Sequence, residues 1–268
     1  MTNADNYYLE PCRCEISPPL LSRSFNLTET LLRLYPAIGC QLPELWLPAP
    51  HPIEGGASLG VSLWKLDQTL EGVDLATVHP AALSRAERKR QLSFIGGRLC
   101  AERVAAELGY PGAVIGRTAR GEPVWPLGLR GSITHTDGFA YAVAGHSNTF
   151  NGLGIDSEWV VGPDSLESIL AMCFTDSEKQ MWLSGEPDPL ITVLIFSAKE
   201  AGYKAIHSTV GRFIDFAEFE LTELWWDVGL LVLTPVAGSE LDGVIQPLQV
   251  RFSVQEGERA LVHTLVIA

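Results

Sequence analysis

The chain has 268 residues, 46% apolar and 19% charged, which describes a folded globular protein with a well-buried core rather than a disordered one. Its net charge of −13 argues against general nucleic-acid binding, whose affinity comes mainly from cations placed on phosphates. The five cysteines are odd in number and lack CxxC spacing, which argues against a disulfide framework or a zinc site and suits a reducing cytosol.

In chain order, MTNADNYYLEPCRCE has no basic stretch leading into an apolar core, so no signal peptide is expected. No apolar run approaches the roughly 20 residues of a membrane span. A soluble, cytoplasmic monomer without membrane or nucleic-acid partners is the expectation. The first 58 residues are rich in Pro and Leu and read as irregular, PELWLPAPHPIEGG above all. LGVSLWKLD (59–67) alternates and predicts a strand. Ser84, with Glu87 three residues on, predicts a capping box and a helix running to about Leu108, closed by Gly109 and Pro111. Gly96 and Gly97 inside it, each costing about 1 kcal/mol relative to Ala, mark either a break or a close approach to the backbone.

After the loop ARGEPVWP (119–126), SITHT and FAYAVAGH predict two strands joined at Asp137-Gly138, and GLGIDSEW (152–159) predicts another. Thr175 to Glu178 is a second capping box, opening a short helix through Trp182. A helix is predicted from about Pro189 to His207, and FAEFEL, WWDVGLLVLT, PLQVRFSV and ALVHTLVIA predict strands. These mixed groups, before and after about residue 150, predict an α+β fold in two lobes, 1–150 and 151–268, with antiparallel strands and helices laid against them.

Charge is uneven along the chain. Residues 81–103 carry six basic side chains against Glu87 and Glu102, and residues 151–188 carry eight acidic ones against Lys179 alone. Such segments suit a site that needs both an anion and a cation. In GIDSE, Asp156 and Glu158 share one face of a strand, so the two carboxylates emerge side by side. They are either solvated strand-edge acids or ligands of a hard cation such as Mg²⁺, which takes one or two carboxylates and leaves its other positions to water and phosphate. In FSAKEAGYKA, Glu200 and Lys204 are neighbours on one helix face, with Lys199 beside them. They read either as a surface ion pair or, near a metal and a phosphate ester, as a ligand or base and a phosphate partner. His135, beside Ser132 and Thr134, is either structural or an anion donor. Arg90 and Arg98, two turns apart, are either a solvated basic face or a phosphate clamp. His51, His79, His146, His207 and His263 show no ligand spacing.

Taken together these blocks resemble one family. GIDSE followed some forty residues later by FSAKEAGYKA is similar to the paired signature of the 4′-phosphopantetheinyl transferases, in their enterobactin-synthase and surfactin-type branch. RKRQLSFIGGR, RGEPVWP, GSITHT and GRFIDFAEFEL stand in that branch's order, and the likeness spans roughly residues 83–221. The resemblance implies transfer of the phosphopantetheine arm of coenzyme A to a serine of an apo acyl or peptidyl carrier protein, releasing adenosine 3′,5′-bisphosphate. It implies Asp156, Glu158 and Glu200 as ligands of Mg²⁺, with Mn²⁺ as an alternative. Glu200 would take the serine proton, directly or through a water, Lys204 would neutralise the leaving bisphosphate, and Lys199 would assist on the phosphates. Arg90, Arg98, Arg120, Gly121, Glu122, Pro123, Thr134 and His135 would hold the nucleotide. Ser157 lies between the two acids where the family varies, often with a third ligand group or an apolar residue, which leaves that metal position to water. The fold implied is two similar, pseudo-symmetric lobes, each a small antiparallel sheet with packed helices, with coenzyme A in the cleft between them. The alternatives are another Mg²⁺-dependent phosphoryl or pyrophosphate enzyme and a non-catalytic coenzyme A-binding protein.

Overall fold

The computed structural model describes residues 26–75, 78, 83, 86–182 and 185–268, so Ser84 of the first predicted capping box lies outside the described residues. Along the chain come helices α1 (Leu27–Leu34) and α2 (Leu42–Leu45), strands β1 (Trp46–Leu47) and β2 (Gly56–Ser62), and helices α3 (Leu63–Thr69) and α4 (Arg88–Glu107). A two-residue pair, β3 (Gly116–Arg117) and β4 (Pro123–Val124), precedes the long strands β5 (Leu129–Thr136) and β6 (Phe139–His146). Strands β1, β2, β6 and β5 make one sheet in that order, every pairing antiparallel. Strand β7 (Leu153–Trp159) then leads into α5 (Pro163–Cys173), α6 (Asp176–Trp182) and α7 (Pro189–Val210), followed by β8 (Phe219–Trp225), β9 (Leu230–Pro235), β10 (Leu248–Gln255) and β11 (Leu261–Ile267). These strands form a second antiparallel sheet in the order β7-β11-β10-β9-β8. The protein is thus α+β, with a long helix laid on each of two antiparallel sheets. No described helix is long and apolar enough to cross a membrane.

Several local expectations are corrected. Residues 59–67 are not one strand: β2 ends at Ser62, whose side chain accepts from the Lys65 amide and caps α3, so Leu63 and Leu66 bury at helical spacing. The first residues of FAEFEL wind into a 3-10 turn, because Asp215 and Glu218 form a capping box before β8 begins. Trp225 ends β8, and WDVG (226–229) is the turn between β8 and β9 rather than the start of a strand. Helices α1 and α5 went unpredicted. Asn26 caps the first, accepting from the Glu29 amide, and Pro163 starts the second. The Thr175–Glu178 box is present, with each side chain bonded to the other's amide.

Helix α4 is continuous through Gly96 and Gly97, which settles their alternative in favour of close approach. A β-carbon on Gly96 would stand 2.4 Å from Leu63 of α3 and 3.1 Å from Val61 of β2, and one on Gly97 2.8 Å from Ile133 of β5, so the helix presses directly onto α3 and its sheet. The second lobe repeats this device more tightly. A β-carbon on Gly154 of β7 would lie 1.9 Å from the Ala201 carbonyl oxygen of α7. Only a strand without a side chain there lets the helix backbone lie against it, and that contact sets where Glu200 and Lys204 arrive. Between the lobes a third apolar cluster joins Ile53, Tyr141, Val143 and Phe150 to Leu153, Ile155 and Leu265. Two buried histidines complete the junction. His51 Nε2 lies 3.3 Å from the His263 carbonyl and from Ser253 Oγ, and Ser157 Oγ is 2.9 Å from His263 Nδ1. Burial, with His51 nearby, holds the His263 ring neutral, its pKa down at about 4. Gly154→Ala is expected to cost about 3 kcal/mol in urea unfolding, because a rigid backbone carbonyl rather than a flexible side chain must give way.

Candidate active site

The two sheets meet at β5 and β7 without sharing a backbone ladder. Asp156, on β7, is 3% exposed at this seam. Its Oδ1 accepts from Lys204 Nζ at 2.7 Å and from Thr134 Oγ1 at 3.1 Å, while its Oδ2 is buried with no partner. Lys204 also donates to the Ile155 carbonyl at 3.2 Å. Burial pulls the Lys204 pKa down, but Asp156, Glu200 and Glu158 more than offset it and raise it above the usual value, so the ammonium stays charged. Burial, with Asp156 adding to it, pushes the Glu158 carboxyl up to about 7 against the pull of Lys204. Glu200 is raised for the same reason, burial first, with Lys204 opposing and Asp156 adding.

The cleft-facing stripe of α7 runs Glu200, Tyr203, Lys204 and His207, all lining a cavity of about 1130 Å³. The opposite wall is the loop that carries Arg120, Gly121, Glu122 and Pro123. Gly121 and Pro123 also border a second cavity of about 570 Å³, which holds Arg90, Arg98 and His135. Two basic-lined spaces therefore share one loop, with the acidic cluster on the far strand. Arg98 is 7% exposed, donates to the Gly116 carbonyl at 3.1 Å and leaves its Nε without a partner. Burial and the neighbouring Arg117 pull its pKa down to about 10, which still leaves it cationic at neutral pH. The His135 ring opens onto the second cavity, where desolvation by the walls and the Lys204 charge hold its pKa below the usual value.

Three expectations about these residues change. Lys199 does not face the cleft: its ammonium is 1% exposed and donates to the Cys173 carbonyl and Glu178 Oε2, each at 2.7 Å, and to the Phe216 carbonyl at 3.0 Å. All three protons are spent, so it has none to offer a phosphate. Thr134 turns toward Asp156 rather than toward a nucleotide. The Glu122 carboxylate is tied to Thr118 Oγ1 at 3.1 Å and to His207 Nε2 at 3.2 Å, so it straps the loop to α7, and only the rest of that loop is free for an anion. Asp156, Glu158 and Glu200 interact electrostatically but do not close into a cage. Among the described residues, no three His, Cys, Asp or Glu side chains converge as a ready-made metal group. The orphaned Asp156 Oδ2, with two further acids whose carboxyls burial pushes up, nonetheless fits a hard divalent ion that completes its shell with water and phosphate oxygens.

Sequence reasoning passed over two residues. Arg117 borders both cavities, two residues before the loop that was read as informative. His207 completes the helical stripe at i+7 from Glu200 and stacks on Tyr203 with ring centroids 5.6 Å apart. The 200, 203, 204, 207 spacing was a signal that would have found it.

The Lys199–Glu178 pair is structural, for Glu178 also accepts from the Leu221 amide at 2.8 Å and the Thr175 amide at 2.9 Å. Lys199→Ala should therefore lower stability by about 3–5 kcal/mol in urea unfolding, because it strands a buried carboxylate. The double variant Lys199→Met with Glu178→Leu should lose less, having no unpaired charge.

Two family models match this chain: the 4′-phosphopantetheinyl transferase N-terminal domain over residues 79–145, and the 4′-phosphopantetheinyl transferase superfamily over 152–264. The chain is 37% identical over 161 residues to the 4′-phosphopantetheinyl transferase Npt of Nocardia iowensis, covering 58% of this chain and 70% of the relative. It is 32% identical over 193 residues to the 4′-phosphopantetheinyl transferase PptT of Mycobacterium tuberculosis, covering 69% and 82%. It is 34% identical over 133 residues to enterobactin synthase component D of Salmonella typhi, covering 49% and 55%. On these matches the chain belongs to the 4′-phosphopantetheinyl transferase family of enzymes.

Proposed function

We propose that this protein moves the 4′-phosphopantetheine arm of coenzyme A onto a serine of an apo acyl or peptidyl carrier protein, releasing adenosine 3′,5′-bisphosphate. One observation carries the reading. A buried carboxylate has one oxygen paired to Lys204 and the other free, and Lys204 and Glu200 line the larger of two basic-lined cavities that share the loop of Gly121 and Pro123. Arg90, Arg98 and His135 are cationic or donor groups fit for the nucleotide phosphates, and the larger cavity leaves room for the arm.

Asp156, with Glu158 and Glu200, would hold Mg²⁺ or Mn²⁺, which supplies positive charge to the pyrophosphate oxygens when bound. Glu200, whose raised pKa makes it a competent base, takes the proton of the carrier serine. The serine oxygen then bonds to the phosphorus that carries the pantetheine arm, and the bond from that phosphorus to the bridging oxygen breaks. The electron pair leaves on adenosine 3′,5′-bisphosphate, and Lys204, held charged, neutralises it.

Intact mass of an apo carrier protein incubated with the enzyme, coenzyme A and Mg²⁺ should rise by one phosphopantetheine and stay unchanged when the metal is chelated. Glu200→Gln leaves the Asp156–Lys204 pair intact and is expected to lower the rate at least about 10²-fold with little change in stability. A wild-type rate would remove Glu200 from the reaction. Because Glu158 retains its proton up to about pH 7, that proton competes with a cation. Mn²⁺ affinity should therefore fall about tenfold from pH 8 to pH 6 by calorimetry, and Glu158→Gln should flatten the profile.

A further inference from the structure

Strands β5 and β7 face each other as the edges of separate sheets, and side chains replace the missing ladder. Ser132 Oγ accepts from the Ile155 amide at 3.1 Å, and Thr134 Oγ1 donates to Asp156 Oδ1 at 3.1 Å. The two hydroxyls are i and i+2 on β5, on one face, and they meet consecutive residues of β7. Thr134 is 4% exposed and Asp156 3%, so no water competes for this bond. With Lys204 at 2.7 Å on the same oxygen, Oδ1 holds two donors from two different lobes, and Oδ2 holds none although it is buried.

A carboxylate pinned through one oxygen by two non-equivalent donors cannot turn about its terminal torsion without breaking the bond to whichever donor is fixed. Lys204 alone does not supply that constraint, since its ammonium is flexible and can follow the carboxylate as it turns. The threonine hydroxyl can neither follow nor be replaced by solvent. We propose that Thr134 is a positioning residue: across the lobe seam, it orients Asp156 so that Oδ2 is presented, unpaired, to a divalent cation. This explains why a polar residue of the first lobe is buried against the acid of the second, and it gives the lobe junction a direct bearing on cation binding. The inference rests on the cation reading proposed above.

The test is Mn²⁺ binding to the full chain in the absence of coenzyme A, followed by electron paramagnetic resonance, with half-saturation by metal in the transfer assay as a second readout. Removing such an outer partner typically weakens metal affinity about 10–100-fold. Thr134→Val, which keeps the shape and deletes the donor, should weaken Mn²⁺ binding by at least about tenfold and raise the half-saturating metal concentration to match. Thr134→Ser should restore both. Unchanged Mn²⁺ affinity in Thr134→Val would overturn the proposal and leave Thr134 as a seam contact alone. If Thr134→Val does not fold, Thr134→Cys, a much weaker donor of similar size, takes its place and the same weakening is required. Failure of the wild-type chain to bind Mn²⁺ would overturn the cation reading itself, which separates the two failures.

Discussion

A carboxylate held at 3% exposure is stable only where something replaces its lost hydration, and Asp156 is such a group. The fold answers this from two sides. Helix α7 delivers Lys204 from within the second lobe, and β5 delivers Thr134 from the first. Both depend on distances that the backbone sets rather than on the side chains themselves. Lys204 reaches Asp156 because Gly154 lets α7 rest on β7 with no side chain between them. Thr134 reaches it because β5 and β7 lie edge to edge where the lobes join. The compensation is still incomplete, since Oδ2 remains unpartnered. Such a deficit is the mark of a site organised for something that binds there rather than for stability alone.

Helix α7 carries two lysines five residues apart with opposite fates. Lys199 and Glu178 form a closed network in which the ammonium and both carboxylate oxygens are satisfied, and the group anchors α6, the 3-10 turn and β8 to α7. Lys204 pairs with a carboxylate that keeps one oxygen open, with Glu158 and Glu200 close enough to raise its pKa. Residue types and helix are the same in both cases. A rotation of about 140° around the helix axis separates a closed ion pair from one whose carboxylate keeps an oxygen open, following from about 100° per residue.

The loop of residues 119–123 has a comparable double use. Its backbone and Arg120 border the large cavity, while Glu122 pairs with His207 on helix α7. Loop and helix belong to different lobes, so this pair and the Thr134–Asp156 bond both cross the cleft. The cavities are therefore defined by contacts between the lobes as much as by either lobe alone.

Much of this was legible in the chain itself. Period-two apolar runs marked the long strands, and the Thr175–Glu178 box marked α6, because those signals are local and their hydrogen bonds close within a few residues. The order of short motifs carried the family, while the spacing of Asp156, Glu158, Glu200 and Lys204 left solvated acids and a surface ion pair open, and only the resemblance pointed to a cation and a phosphate. Helix α1 and the break at Ser62 were missed, since single capping bonds at Asn26 and Ser62 overrode composition that read as irregular or alternating. What only the tertiary structure decided is direction. Lys199 faces the core, Thr134 faces Asp156 and Glu122 faces His207, each through a partner 17 to 85 residues distant in sequence. Spacing states which residues share a face of one element, but not which other element lies opposite that face, and a side chain's role is settled by the opposing surface.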